Sequence, residues 1–182
     1  MPSVVTSGHV IWLFGLPGAG KSTLASSLIK QLQTRSLGVL ALDGDALRAG
    51  LNQGLGFADA DRTENLRRAA EVARIGVDSG LCVVASFITP LNTHRRLIRK
   101  IIGADRLSLV FVNAPLAVCL QRDVKGLYAR AQAGLLQQMT GVGSPFEQPE
   151  LVDLTLPTAE VSPEVSAAAL LAFSLARLGR PA

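Results

Sequence analysis

Apolar residues along this chain fall into two patterns. Val10-Ile11-Trp12-Leu13-Phe14, Gly38-Val39-Leu40-Ala41-Leu42, Leu81 to Phe87 and Leu107 to Val112 are short runs that are almost wholly apolar. Runs of that length predict strands buried on both faces, as in a parallel sheet. Between them the apolar positions recur with helical spacing. Leu24, Leu28 and Leu32 lie four apart within a helix expected over Thr23–Gln33. Leu66, Ala69, Ala70, Ala73 and Val77 form the inner face of a long helix. Asp61, with Glu64 three residues on, reads as its N-cap, and Gly80 is placed to end it. Further helices are expected over Thr93 to Ile102, from Pro115 to about Arg122, and from Pro163 to Leu178, with a last strand over Leu151–Leu156. Residues 46–60 read as short, glycine-rich and irregular. Strands alternating with helices imply a parallel sheet with right-handed crossovers. The expected fold is therefore α/β, three layers deep (α/β/α), with a mainly parallel sheet in a single domain over residues 1–182.

The first strand leads into Gly15-Leu16-Pro17-Gly18-Ala19-Gly20-Lys21-Ser22-Thr23, which fits G-x-x-x-x-G-K-[ST], the phosphate-binding P-loop. A strand before it and a helix after it are the context the motif needs. Its glycines allow a tight turn whose N–H groups point into one concave nest. The helix N-terminus adds partial positive charge at the same point. Lys21 is expected to reach the β- and γ-phosphates, and Ser22 to ligate Mg²⁺. A glycine-rich turn that binds nothing is disfavoured, because motif and context agree. The second strand ends in Asp43-Gly44-Asp45, where open α/β sheets place ligands. The same residues also favour a simple turn, and composition does not choose between the two. Residues 123–149 carry Lys125, Tyr128, Arg130 and several Gln and Gly without a long apolar run, and read as the mobile lid of a P-loop kinase.

Composition narrows the class. The chain has 182 residues, 48% hydrophobic and 18% charged, which suits a globular domain with a real core. No apolar run reaches membrane-spanning length, and the N-terminus lacks a signal-peptide pattern, so a cytoplasmic protein is expected with no membrane partner. Cys82 and Cys119 sit in apolar stretches and read as small buried hydrophobes. The net charge of +4 comes with arginines gathered at Arg62, Arg67, Arg68, Arg74 and at Arg95, Arg96, Arg99, Lys100, mostly read as solvated helix faces. With aromatic residues at only 4%, base-stacking platforms are scarce, and a small polyanionic substrate is favoured over nucleic acid.

A GTPase would carry an N-K-x-D base-reading motif, and none is present. Motor and transporter ATPases place an Asp after an apolar strand, whereas the long apolar strand here ends at Ser86-Phe87. Asp43 and Asp45 are the nearby acids, as in small-molecule kinases. Leu42-Asp43-Gly44-Asp45-x-x-Arg48, Leu55-Gly56-Phe57, Ala60-Asp61-Arg62-x-Glu64-Asn65-x-x-Arg68, Phe87-Ile88-Thr89-Pro90, Gln121-Arg122-Asp123-x-Lys125-Gly126-Leu127-Tyr128 and Thr140-Gly141-x-x-Ser144-Pro145 follow in that order. Together they closely resemble the adenylylsulfate kinase (APS kinase) family, from about His9 to Glu150.

The resemblance implies ATP-dependent phosphorylation of the 3′-hydroxyl of adenosine 5′-phosphosulfate, the second step of sulfate activation. It implies that Asp45 stands beside that hydroxyl and that Arg48, Arg62 and Asn65 grip the acceptor nucleotide. Arg62 and Asn65, three apart, share a helix face. Phe57 matches an aromatic that stacks on the acceptor adenine, Ile88 and Thr89 match the segment lining the acceptor site, Lys125 matches a lid lysine, and Arg122 lies near the ATP base. Thr89 stands where the family usually has Ser, a residue proposed in bacterial members to be phosphorylated; direct in-line transfer is favoured here. Met139 stands where a second Phe closes the adenine sandwich, and Asn92 and Gln132 stand where Arg is usual. The resemblance also implies a homodimer and a functional link to ATP sulfurylase. Two alternatives stay open at this point: a related P-loop kinase with another nucleotidyl acceptor, or a non-catalytic nucleotide-binding partner of ATP sulfurylase.

Overall fold

The computed structural model describes residues 8–135 and 139–181. The four apolar runs become strands β1 (His9–Phe14), β2 (Val39–Asp43), β3 (Cys82–Ser86) and β4 (Leu107–Asn113), and β5 (Leu154–Pro157) completes the sheet. Their order is β2-β3-β1-β4-β5, and every pairing is parallel. The helices are α1 (Lys21–Gln33), α2 (Gly44–Ala49), α3 (Asp59–Asp78), α4 (Asn92–Ile102), α5 (Leu116–Arg122), α6 (Leu127–Gln132) and α7 (Pro163–Arg177).

Strand β1 is central and all six of its residues are buried. Side chains alternate across a strand, so one apolar run serves two cores. Ile11 and Leu13 pack with Leu24, Leu28 and Leu32 of α1 and Leu170 and Leu175 of α7. Val10, Trp12 and Phe14 pack with Leu66, Ala69, Ala70, Ala73 and Val77 of α3 and Ile98 and Ile102 of α4. The alanines of α3 let that helix lie close to the sheet. This is the expected three-layer α/β/α arrangement. Both cysteines are buried, and burial pushes the Cys82 thiol up to about 12.

Four expectations are corrected. Residues 44–49 form α2 rather than irregular chain, because Asp43 Oδ1 accepts from the N–H groups of Asp45 (3.0 Å) and Ala46 (3.4 Å) and so caps a short helix. Helix α3 starts at Asp59 with Ala58 as N-cap, so Asp61 falls inside the first turn; Glu64 turns forward to Arg67 (2.7 Å) and Arg68 (2.8 Å) instead of back to a cap. The last strand begins at Leu154. Leu151 and Val152 are exposed, and the Asp153 carboxylate, accepting from Leu109 N–H at 2.8 Å, takes a place a strand carbonyl would fill.

The fourth correction concerns charge. Arg62 and Arg95 do not lie on solvated faces; they are 8% and 3% exposed. The Arg95 guanidinium donates to the backbone oxygens of Thr89 (3.3 Å), Pro90 (2.8 Å) and Glu147 (2.7 Å) and to Asn92 Oδ1 (2.5 Å), and lies 4.8 Å from the Phe14 ring centre. Five donors in a fixed fork satisfy four acceptors there, so the charge is buried in a matched setting. Among the described residues, no helix is long and apolar enough to cross a membrane.

Candidate active site

At the C-terminal end of β1 the chain must turn within contact distance of β4. A Cβ on Gly15 would sit 2.3 Å from the Val112 oxygen, so only glycine allows the approach. Gly18, at φ +79°, bends the loop again against Cys119. Helix α1 then begins at Lys21 without a side-chain cap, which leaves its first N–H groups for a ligand. Strand order reverses around β1, and the crevice at such a switch point is where open parallel sheets bind ligands.

That crevice is a cleft of about 280 Å³. Pro17, Gly18, Gly20, Lys21, Ser22 and Thr23 line one half. Asp45, Arg48, Phe57, Arg62 and Asn65 line the other, with Ile88, Thr89 and Lys125 between. Segments far apart in sequence thus converge on one cleft. Gly15, Leu16 and Ala19 stand behind the loop: the buried Lys21 ammonium donates to the oxygens of Gly15 (3.0 Å) and Leu16 (2.8 Å). Burial lowers the Lys21 pKa to about 8.

On the other half, Arg48 donates to the Leu55 (3.0 Å) and Gly56 (2.8 Å) oxygens and lies 4.5 Å from the Phe57 ring centre. Phe57 itself is 58% exposed, an aromatic face offered to solvent at the cleft. Arg62 donates to Phe57 O (2.7 Å) and to Thr140 Oγ1 (2.8 Å). Burial lowers both arginine pKa values, though each stays a cation. Lys125 forms an ion pair with Asp45, and that bond raises the Lys125 pKa. Thr89 has φ +44°, strained for a β-branched residue, and its buried Oγ1 accepts from Trp12 Nε1 at 2.9 Å.

Two expected site residues stand elsewhere. Met139 is buried in the core beneath the P-loop side and is not among the cleft-lining residues. Arg122 lies beyond the cleft lining, donating to Thr158 O at 2.6 Å, while Thr158 Oγ1 donates to Ala19 O at 2.8 Å. Of the two positions that depart from Arg, Asn92 ties α4 to residues 148–150 through Gln148 O (3.1 Å) and Glu150 N–H (3.2 Å), and Gln132 ends α6. The stretch 136–138 of the expected lid lies outside the described residues. Tyr128 of that segment is buried and donates to Pro17 O at 3.0 Å, a P-loop support that composition gave no means to find.

A metal ion needs hard oxygen donors here. Ser22, Asp43 and Asp45 all line the cleft beside the phosphate loop, so the donor chemistry fits Mg²⁺ held partly by substrate oxygens. Among the described residues there is no group of three or more His, Cys, Asp or Glu that could hold a metal alone.

The Adenylylsulphate kinase family model matches residues 7–157. An adenylyl-sulfate kinase of Bacteroides fragilis is 46% identical over 173 residues, covering 95% of this chain and 86% of that protein. One of Paraburkholderia xenovorans is 52% identical over 151 residues, covering 83% and 84%. Among solved structures, the Mycobacterium tuberculosis APS kinase CysC in complex with AMPPNP and APS superposes with a TM-score of 0.87 at 41% identity, covering 92% of this chain and 98% of that one. With the P-loop, Arg48, Arg62 and Lys125 meeting in one cleft, these matches settle the family: the chain belongs to the adenylylsulphate kinases.

Proposed function

We propose that this chain transfers the γ-phosphoryl group of ATP to the 3′-hydroxyl of adenosine 5′-phosphosulfate. The observation that carries the reading is the shared cleft, in which the P-loop faces Asp45, Arg48, Phe57, Arg62 and Asn65. Lys21 leaves the Gly15 and Leu16 oxygens and neutralises the β- and γ-phosphates, while loop and helix N–H groups hold their remaining oxygens. Arg48 and Arg62 grip phosphosulfate oxygens with paired, charge-assisted bonds, and Phe57 stacks on the acceptor adenine. Asn65 and Ile88 complete the acceptor wall. Asp45 accepts the proton as the 3′-oxygen bonds to the γ-phosphorus and the bond to the ADP oxygen breaks. Lys125, paired with Asp45, moves its charge to the transferring phosphoryl.

Thr89 acts as a hydroxyl contact to the acceptor. Its oxygen already accepts from Trp12, and among the described residues no carboxylate is bonded to it to activate it as a nucleophile. Direct in-line transfer follows. Ser22, with Asp43 or Asp45, would hold Mg²⁺, which supplies charge neutralisation on the phosphates when bound. Met139 packs in the core beneath the P-loop, and Arg122, through Thr158, braces the P-loop. A cytosolic homodimer completes the reading.

The test is ADP release with Mg-ATP, with and without adenosine 5′-phosphosulfate. Rapid release only with that acceptor is expected. ATP binding without acceptor-stimulated release would reject it in favour of another nucleotidyl acceptor or a non-catalytic domain.

A further inference from the structure

Asn52 is fully buried and outside the cleft lining, yet it is bonded to a residue that lines it. Its Nδ2 stands 2.8 Å from Asn65 Oδ1 and 3.4 Å from the Asn65 backbone oxygen. A main-chain carbonyl can only accept, so the Asn52 atom that meets both oxygens must be the nitrogen. That choice fixes the second amide as well. Asn65 turns its oxygen toward Asn52, and its own NH₂ group becomes the free end. The N–H of Asn52 donates to Leu47 O at 2.7 Å, which anchors the pair to the end of α2 and thus to the element carrying Arg48.

Asn52 Oδ1 is buried and has no partner among the described residues. An orphaned buried acceptor is costly, and an apolar side chain would fill the space without that loss. A packing role alone therefore does not account for Asn52. We propose that Asn52 is a positioning residue. It holds the Asn65 carboxamide so that Nδ2 faces the cleft, and the site offers a neutral donor to a lone-pair atom of the acceptor nucleotide. This rests on the acceptor reading given above.

The variant Asn52→Asp keeps the size but removes the donor. Asn65 must then turn its NH₂ group to the carboxylate and present its oxygen to the acceptor. At about pH 8 the expected result is a KM for adenosine 5′-phosphosulfate raised about tenfold or more, with the KM for ATP within about twofold of the parent. As pH falls and the buried carboxyl protonates, its O–H becomes a donor, and the acceptor KM returns toward the parent's. Asn52→Ala, which frees the Asn65 amide, gives a severalfold rise in the same constant alone, and carries the test if Asn52→Asp does not fold. An unchanged acceptor KM in a folded variant overturns the inference. So does an equal rise in both KM values, which marks a merely structural role. Parent enzyme without acceptor-stimulated turnover overturns the acceptor reading itself, and this inference with it.

Discussion

Lys21 shows how one residue's setting sets a pH response. Burial holds its pKa near 8, against an ordinary 10.5. The unfolded chain therefore binds more protons between those values, and this group's burden on stability is relieved as pH rises through that window. Phosphates favour the charged form, so nucleotide binding above about pH 8 takes up a proton. ATP affinity should fall with rising pH there, approaching tenfold per unit. Calorimetry in buffers of different ionisation heat reads the proton directly. Lys21→Met should bind more weakly and lose that slope, with turnover down by at least about 10²-fold. A flat parent affinity from about pH 7.5 to 9.5 would contradict this picture.

At the scale of elements, the β3–α4 connection is held by two buried side chains, and neither belongs to it. Trp12 of β1 stacks on Phe87 at 4.8 Å and bonds Thr89, which fixes the loop to the sheet. Arg95 of α4 ties Thr89 and Pro90 to Glu147, and so joins the β3–α4 connection to the segment around Glu147. An ammonium cannot reach these four acceptors at once. Arg95→Lys should lower stability by about 2–4 kcal/mol, seen as a lower urea midpoint with an unchanged slope. A loss under about 0.5 kcal/mol would show that the guanidinium network is not holding these elements together.

At the scale of the whole molecule, contacts between distant segments are made at the cleft among the described residues: Lys125 with Asp45, Tyr128 with Pro17, and Arg62 with Thr140. Each joins the stretch after α5 to the P-loop or to α2 and α3. Ligands on both halves should therefore steady that stretch. Amide hydrogen exchange over residues 123–135 is expected to slow when a non-hydrolysable ATP analogue and adenosine 5′-phosphosulfate are both bound. Tyr128→Phe, which loses the bond to the Pro17 oxygen, should exchange faster in the empty enzyme. Exchange that ignores both ligands and the substitution would show that these contacts do not hold that stretch.

The sequence by itself determined the succession of the five strands and of the other five helices, the two-faced core and the phosphate loop, because each rests on local spacing, whereas the short helices α2 and α6 were not legible in it. Apolar runs of strand length gave the strands, with β1, β3 and β4 buried on both faces while β2, at the sheet edge, leaves Ala41 exposed; Leu24, Leu28 and Leu32 share a helix face, and the glycines around Lys21 shape the phosphate loop. The sequence also brought Asp45, Arg48, Phe57, Arg62 and Asn65 to notice, through the order of short motifs, and all five line the cleft. Only the tertiary structure decided what depends on partners far along the chain. Arg62 and Arg95 look like surface charges until distant carbonyls and hydroxyls surround them. Met139 reads as a cleft residue by its place in a motif, but apolar neighbours draw it into the core. Trp12, Asn52 and Tyr128 touch the site through bonds to residues 77, 13 and 111 positions away, and no periodicity or spacing encodes a contact of that kind.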